Sequence, residues 1–437
     1  MDSTDSTISP SSSSPRSKRV LIVDFSPRGH HPFYVRLLLE SGLAQVAQIV
    51  LAGNKEMFRH PAIVAATTSV PVERFELGVE GRSENAPLHR GMPDRVGVIY
   101  HSWWLGRLYR KVYRAVARSA PVDFVIVPYL DDCLLGLAAA REAFDGTPWL
   151  AITMRTMFHF RDMGVIAPQQ RFEDIRRRLT WRILRQNGTV AVLTIDPTLA
   201  EYAAGQADPL LRKIGYVPDP APRHQQLPSK SQARQHLGIA DDARVVLLYG
   251  AVSERKGAAL LVRAAAASSC SDRIHLLIAG KFWEMHALQN SDAWRQLAAA
   301  GRIHAFDGFV DDEQERLILA AADCMWVGYV DFYGVSSVMA LAGRHAMPVL
   351  ASSAGLVGYF TDRHELGAVV DPRDRSSIVA ALNRLVHEPE FFQRAGSNGI
   401  SVYQRHSPVE LQRVIVETVT SSWDPSPPGA RSALNSR

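Results

Sequence analysis

The sequence predicts an α/β protein built from two doubly wound parallel-sheet domains that face each other across a cleft. Three observations lead to this prediction. The chain has 437 residues, which is too long for one ordinary core. Short apolar segments alternate with helical segments in both halves. A proline-dense segment, Val217–Pro222, separates the halves and can hold neither a helix nor a central strand, so we interpret it as the linker.

The predicted strands of the first half are short apolar segments, each followed by a polar turn or a helix. They are Arg19–Phe25, Val46–Ala52, Phe124–Pro128, Trp149–Thr153 and Val190–Thr194. Helices are predicted at Pro32–Ser41 and Leu134–Phe144. Strands that alternate with helices indicate a parallel sheet with helices on both faces.

The same alternation restarts after the linker. Predicted strands are Arg244–Tyr249, His275–Ala279, Cys324–Gly328, Pro348–Ser352 and Ala368–Val370. Predicted helices are Ala258–Ala267 and Asp311–Ala322. Ligands of such folds bind beyond the carboxyl ends of the strands, so the cleft between the two domains is the expected site.

The predicted domain limits are a leader at 1–18, a first domain at 19–216, a second domain at 217–422 and a tail at 423–437. The leader is polar and rich in serine, which favours disorder over a secretion signal. No run of about eighteen apolar residues is present. The three cysteines lie far apart, without metal or disulfide spacing, which fits a reducing cytosol. We therefore expect a cytoplasmic protein without a metal ion.

The excess positive charge lies in the first half. Residues 1–216 contain 27 Lys and Arg against 21 Asp and Glu, and the remaining residues contain 22 against 23. The segment His101–Ala120 places Arg107, Lys111, Arg114 and Arg118 along one helical face. A basic amphipathic helix with a tryptophan pair suits an anionic membrane surface. Peripheral membrane contact is one hypothesis, and a packed helix with a solvated charged face is the other. No recognition motif favours nucleic acid.

Four segments of the second half occur in a recognisable order. They are YGAVSERKG from Tyr249, LLIAG from Leu276, FDGFVDDEQERLILAAADCMWV from Phe306 and FYGVSSVMALAGRHAMPVLAS from Phe332. Together they resemble the two-domain GT-B sugar transferases, in particular retaining glycosyltransferase family 4 (group 1). The resemblance is good over residues 244–385 and loose over 19–216. It implies two Rossmann-like domains and metal-independent transfer with retention.

The resemblance also implies which ligands each domain holds. The second domain would bind a nucleotide-sugar donor, and the first would bind a glycan or lipid-linked acceptor, as in cell-surface or exopolysaccharide synthesis. No further cofactor is expected. Two alternatives stay open: a catalytically degenerate GT-B scaffold that acts as a partner subunit, and a nucleotide-sugar epimerase of the same fold.

The donor diphosphate gains negative charge as its bond to the sugar breaks, so fixed cations and helix N-termini aimed at it lower the barrier. Lys256, between a strand and a helix, is the predicted phosphate ligand, and the alternative is a solvated cation. Arg255 is the candidate replacement for an arginine that the family carries at Ala251. The GVSS loop, Gly334–Ser337, is a second phosphate contact or an ordinary serine N-cap. The predicted donor-binding residues are Ser253, Arg255, Lys256, Phe309, Val310, Gly334, Val335, Ser336 and Ser337.

The family carries two glutamates eight positions apart, one beside the donor sugar and one at the ribose. The matching positions are Asp331 and Met339 in one register, and Tyr333 and Leu341 in the other. The ribose position is apolar in both registers, and such a side chain accepts essentially no ribose hydrogen bond. The motif is therefore degenerate. Asp331 is the one candidate acid, and the alternative is a turn residue.

Polar residues at the carboxyl ends of the first-half strands are the predicted acceptor side. They are Gly29, His30, His31, Asp131 and Asp132. Arg155 follows another strand, near where the family keeps a catalytic histidine, and His159 is the alternative in that loop. The predicted catalytic residues are Asp331, Lys256 and Arg155.

Overall fold

A computed structural model describes residues 17–77, 94–169, 172–283 and 285–423. The predicted leader and tail lie almost entirely outside these ranges. The described residues form one parallel sheet of seven strands and a second of six. Helices cover both sheets, so the predicted fold class is confirmed.

The first sheet has the strand order β3-β2-β1-β4-β5-β6-β7. Its strands are β1 (Lys18–Val23), β2 (Ala47–Gly53), β3 (Val72–Glu76), β4 (Phe124–Val127), β5 (Trp149–Thr153), β6 (Thr189–Thr194) and β7 (Ile214–Tyr216). Its helices are α1 (His31–Leu39), α2 (Lys55–Arg59), α3 (Pro61–Ser69), α4 (Asp94–Ser119), α5 (Leu134–Ala138), α6 (Glu173–Leu184) and α7 (Pro197–Ala204). The five predicted strands are confirmed to within two residues. The edge strands β3 and β7 were not predicted.

The helix predicted at Leu134–Phe144 is wrong in length, because α5 ends at Ala138. The side chain of Gln186 takes over the backbone groups that a longer helix would have paired. Its Nε2 donates to the Leu137 carbonyl at 3.0 Å, and its Oε1 accepts from the Ala143 amide at 2.9 Å. A tertiary contact therefore ends this helix early.

The second sheet has the strand order β10-β9-β8-β11-β12-β13. Its strands are β8 (Arg244–Tyr249), β9 (Ile274–Gly280), β10 (Ile303–Asp307), β11 (Cys324–Val327), β12 (Val349–Ser352) and β13 (Gly367–Val370). The helices from the linker onward are α8 (Lys230–Leu237), α9 (Ala258–Ala267), α10 (His286–Gln289), α11 (Asp292–Ala299), α12 (Asp312–Ala321), α13 (Ser337–Arg344), α14 (Gly355–Arg363), α15 (Arg375–His387), α16 (Pro389–Tyr403) and α17 (Pro408–Thr420). The predicted strands and helices of this half are confirmed to within one residue.

Two segments cross between the domains and are hydrogen-bonded to each other. One is the linker Val217–Pro222, and the other leads from the end of α16 into α17. Val217–Pro222 has no regular secondary structure, as predicted, and the Ala221 amide donates to the His406 carbonyl at 3.0 Å. After this second crossing, α17 packs against the helices of the first domain, with Leu411 and Ile415 buried beside α1. The predicted limits placed α17 with the second domain, although it packs on the first. Those limits otherwise stay a prediction.

The loops at the carboxyl ends of the two sheets meet each other. Phe160 and Val165, in the loop after β5, are buried in the core cluster of the second domain. The Ile166 carbonyl accepts a hydrogen bond from the Gly355 amide at 2.7 Å. Val335 packs against core clusters of both domains. The two domains therefore contact each other through the loop after β5 and the loops that precede α13 and α14.

Candidate active site

Lys256 is a buried cation at the end of a single 3-10 turn between β8 and α9. Lys256 is 7% exposed. Its Nζ donates to the Tyr249 carbonyl at 3.0 Å and to the Tyr329 hydroxyl at 3.1 Å, and lies 4.7 Å from the Tyr329 ring centroid. No carboxylate within the described residues forms an ion pair with it. An ammonium buried without a counter-ion is unfavourable, so this position suits an anionic ligand.

Tyr329 connects Lys256 to the start of α13. Its hydroxyl lies 3.2 Å from the Ser336 Oγ, which also accepts from the Met339 amide at 3.3 Å and so caps the helix. A capped helix N-terminus carries partial positive charge, which adds to that of the lysine. The two predicted phosphate contacts are thus brought together by a tyrosine that sequence reasoning missed. Its position, two residues after β11, was the available signal.

The other predicted donor-binding residues lie at the same edge of the second sheet, with different exposure. The Ser253 carbonyl accepts from the Lys256 amide at 2.9 Å. Arg255 is exposed, and its guanidinium lies over the Phe332 ring, 5.1 Å from the ring centroid, rather than beside Lys256. Phe309 is 91% exposed. The remaining members are partly buried: Val310, Gly334, Val335 and Ser337.

Sequence reasoning also missed Trp283, just beyond the end of β9. Its indole ring is half exposed, and the Lys281 Nζ lies 4.5 Å from the ring centroid. Its amide donates to the Val252 carbonyl at 2.8 Å, which fixes it beside the turn that carries Lys256. The aromatic pair Phe282 and Trp283, which begins two residues after Gly280 of the apolar LLIAG segment, was the signal for it.

Asp331 lies in the loop after β11 and is held by an arginine. Its backbone φ is 51°, a left-handed conformation that is uncommon for residues other than glycine. Its carboxylate is 65% exposed and accepts two bonds from Arg373, at 2.7 and 2.8 Å. Met339 and Leu341 are both buried in the core, so neither ribose-register position offers a polar group to the cleft.

Across the cleft, His31 is clamped between two carboxylates. Its Nδ1 lies 2.8 Å from an oxygen of Asp24, and its Nε2 lies 3.2 Å from an oxygen of Asp132. The ring stacks on Tyr129 with centroids 4.2 Å apart. Burial lowers the pKa of His31, but the two carboxylates outweigh burial and raise it to about 10. His31 is therefore a fixed imidazolium and cannot act as a general base near neutral pH.

Arg155 and Asp132 complete this cluster. Arg155 donates to the Tyr129 hydroxyl at 3.1 Å, and its guanidinium lies 3.6 Å from Asp132. Asp131 instead accepts from the Met154 amide at 2.7 Å and so shapes the loop after β5. The structure brings together the predicted Arg155, His31 and both aspartates. Gly29 and His30 lie in the exposed turn before α1.

His159, the alternative to Arg155, is fully buried beneath this rim. Its Nε2 lies 2.9 Å from the Asp196 carboxylate and 2.9 Å from the Thr198 hydroxyl. The next residue, Phe160, packs into the second domain. His159 therefore anchors the loop to the first domain and does not face the cleft.

The His31 clamp predicts a specific dependence of stability on pH. A folded-state pKa raised from 6.5 to about 10 stabilises the protein fully below pH 6.5, and the effect is lost as the pH rises toward 10. Replacing His31 with glutamine should therefore lower the free energy of unfolding most at pH 6. The difference from wild type should shrink steadily by pH 10. Chemical denaturation at several pH values measures it, and a difference that stays constant would contradict the clamp.

The part of the chain that matches a known protein family lies within the predicted second domain. Residues 229–402 match the family of glycosyl transferases group 1. An uncharacterized glycosyltransferase from Methanocaldococcus jannaschii is 26% identical over 180 residues, which are 41% of this chain and 45% of that protein. The chain thus matches less than half the length of this relative.

Solved structures resemble the whole described architecture. HepE of Anabaena, crystallised with UDP and glucose, superimposes with a TM-score of 0.60 at 18% identity, covering 92% of this chain and 100% of that one. Sucrose-phosphate synthase from Thermosynechococcus elongatus gives 0.62 at 17% identity, covering 93% and 99%. At such identities the likeness establishes the fold, which is the GT-B architecture.

Proposed function

We propose that this protein is a glycosyltransferase that moves a sugar from a nucleotide-sugar donor to an acceptor hydroxyl. The observation that carries the proposal is the buried Lys256 ammonium, linked through Tyr329 to the N-cap serine of α13. That arrangement supplies a cation and a helix N-terminus at one place. A leaving diphosphate needs both. The family match over residues 229–402 supports this assignment.

The donor is proposed from the solved relatives. HepE structures contain UDP and UDP-glucose, so uridine diphosphate sugars are the first donors to test. The base would lie beyond the ends of β9 and β10, where Trp283 and Phe309 offer exposed aromatic faces. Asp331 would hold sugar hydroxyls at the rim, with Arg373 fixing its orientation.

The acceptor would bind on the first domain, against Asp132 and Arg155. We propose transfer with retention because His31, on the acceptor side, is held protonated and cannot act as a strong base. In retaining transfer a phosphate oxygen of the leaving group takes the proton of the incoming hydroxyl, and the protein contributes positioning and charge stabilisation. A glycan or lipid-linked acceptor of cell-surface or exopolysaccharide synthesis is the proposed class, used from the cytoplasm.

One observation favours a second function. Met339 and Leu341 are buried and apolar, so the usual acid at the ribose is absent from both registers. A GT-B scaffold that binds a partner but transfers no sugar would tolerate this loss. Such a scaffold would not need a buried, unpaired Lys256.

The proposal is tested by a thermal-shift screen of nucleoside diphosphates and nucleotide sugars, followed by donor consumption assays. We expect at least one diphosphate to raise the melting temperature, because a ligand that binds only the folded state stabilises it. We also expect slow hydrolysis of the matching nucleotide sugar, accelerated by a glycan or lipid extract. Diphosphate binding without turnover of any donor would favour the scaffold.

A further inference from the structure

A cluster of basic side chains lies at the amino ends of β9 and β10, the end of the second sheet opposite the proposed donor site. His275 is the second residue of β9, and Arg302 and His304 flank the first residue of β10. That first residue, Ile303, pairs with Leu276 in the parallel register and packs against the core cluster that contains it. Because side chains alternate along a strand, the two histidines and the arginine point together to the opposite face.

Arg302 is a buried cation without a counter-ion. It is 8% exposed, and its guanidinium forms no ion pair with any residue that the structure describes. Its Nη1 is buried and has no hydrogen-bond partner among those residues. Arg234 of α8, another buried arginine near this cluster, instead pairs with Asp323 at 2.6 Å and donates to the Ala321 carbonyl at 3.1 Å. Burying an unpaired guanidinium is unfavourable, so the position of Arg302 suits an anionic ligand.

The two histidines of the cluster stack on each other. Their ring centroids lie 5.4 Å apart with an angle of 11° between the planes, and the His275 Nδ1 lies 3.1 Å from the His304 Nε2. The His304 ring also hydrogen-bonds to the backbone of Leu237, at the end of α8. In the neutral form His304 therefore donates to the Leu237 carbonyl and accepts from His275. The His275 Nε2 is left without a hydrogen-bond partner within the described part of the chain.

Both rings are uncharged near neutral pH. Burial and then the neighbouring His304 lower the pKa of His275 to about 4. Arg302 and Arg234 add to this effect, and the exposed Asp242 opposes it. Burial also lowers the pKa of His304. An anion beside the His275 Nε2 would favour the protonated ring, so binding of the anion takes up a proton.

We propose that Arg302, His275 and His304 form a binding site for a tetrahedral oxyanion, either free phosphate or the phosphate group of a small metabolite. The guanidinium presents a planar fork of N–H donors that matches two oxygens of a phosphate. The His275 Nε2 supplies a contact from a second direction, and His304 fixes the orientation of that ring. β10 is the edge strand of the sheet and both histidines are only partly buried, so a ligand reaches the cluster from solvent.

This site is independent of the proposed function, because it lies at the opposite ends of the strands from Lys256. It has a consequence for the thermal-shift screen described above. A phosphate-containing ligand that binds only the folded state raises the melting temperature wherever it binds. Stabilisation by inorganic phosphate that persists in Lys256→Met therefore belongs to the Arg302 site.

The test is a titration of the full chain with sodium sulfate at constant ionic strength, followed through the histidine ring resonances in NMR spectra. Sulfate keeps its charge over the pH range used, and His275→Gln and His304→Gln assign the two signals. We expect saturable shifts of both signals, with an affinity that rises as the pH falls from about 8 to about 5. Uptake of one proton sets the upper limit of this rise at about tenfold per pH unit. An affinity that stays constant over this range would overturn the proposal.

Arg302→Met should weaken sulfate binding at least about tenfold, because it removes the charge and the donor fork but keeps much of the side-chain length. His275→Gln, followed through His304, should bind with an affinity that no longer depends on pH. Arg394→Met, at an exposed position of α16, changes the net charge equally and should bind sulfate as wild type does. Equal loss of binding in Arg394→Met and Arg302→Met would overturn the proposal.

Two further titrations separate the sources of the anion and the two sites. Tighter binding of a hexose phosphate than of inorganic phosphate would identify a metabolite, and equal binding would identify free phosphate. Histidine shifts that disappear in Lys256→Met would place the anion at the proposed donor site and overturn this proposal. Donor turnover is measured separately, so failure of the Arg302 site and failure of the proposed function are distinguishable.

Discussion

Replacing Lys256 by alanine or methionine should weaken binding of a nucleoside diphosphate by about 1.5–3 kcal/mol, the range of a charge-assisted hydrogen bond. The physical reason is that Lys256 is a buried cation without an ion-pair partner among the described residues, so a bound phosphate gives it its counter-ion. Titration calorimetry with wild type and variants measures the effect.

The methionine variant separates binding from folding. Methionine retains the length of the side chain and removes the buried charge, so relief of desolvation should offset the lost bonds to Tyr249 and Tyr329. We expect its free energy of unfolding to stay within about 1 kcal/mol of wild type. Lys55→Ala, at an exposed position of α2, is the control for net charge. Equal diphosphate affinity in wild type and Lys256→Met would remove Lys256 from the site.

Replacing Asp331 by asparagine should reduce donor turnover by about tenfold to a hundredfold while nucleotide affinity changes little. A carboxylate beside the donor sugar steadies positive charge that develops at the anomeric carbon, and this contact strengthens in the transition state. Because Asp331 is exposed and paired with Arg373, we expect its replacement to lower turnover less than the loss of a fully buried contact would. Donor consumption and calorimetry on the same variant separate turnover from binding.

Asp362→Asn, at an exposed position of α14, is the matched control and should leave turnover unchanged. Turnover that survives in Asp331→Asn would reject the catalytic role of this residue and retain the enzyme. Absence of turnover in wild type with every donor and acceptor extract would count against the enzyme itself.

The buried strands were predictable because their sequences are continuous apolar runs. RVLIV in β1 and WLAIT in β5 are buried on both faces, as strands of a covered parallel sheet must be. β3 has the sequence VERFE and lies at the edge of the sheet with most side chains exposed, so no apolar run marks it. The early end of α5 depends on Gln186, which lies 49 residues after Leu137, and local sequence carries no sign of that contact.

The acceptor side was partly predictable for a topological reason. Parallel strands bring their carboxyl ends to one edge, so polar residues after β1, β4 and β5 had to lie near one another. The protonation of His31 was not predictable. It depends on Asp24 and Asp132 approaching the two ring nitrogens from different strands.

By itself, the sequence determined two parallel sheets and the irregular linker between them. It also predicted a cleft site at Lys256, the Gly334–Ser337 loop and polar residues of the first domain. It also predicted that the position matching the family's ribose glutamate is apolar in either register. Tertiary structure alone decided that Tyr329 joins the lysine to α13, and that α17 returns to the first domain. These features depend on contacts between segments far apart in the chain, whose distances follow from packing and not from local pattern.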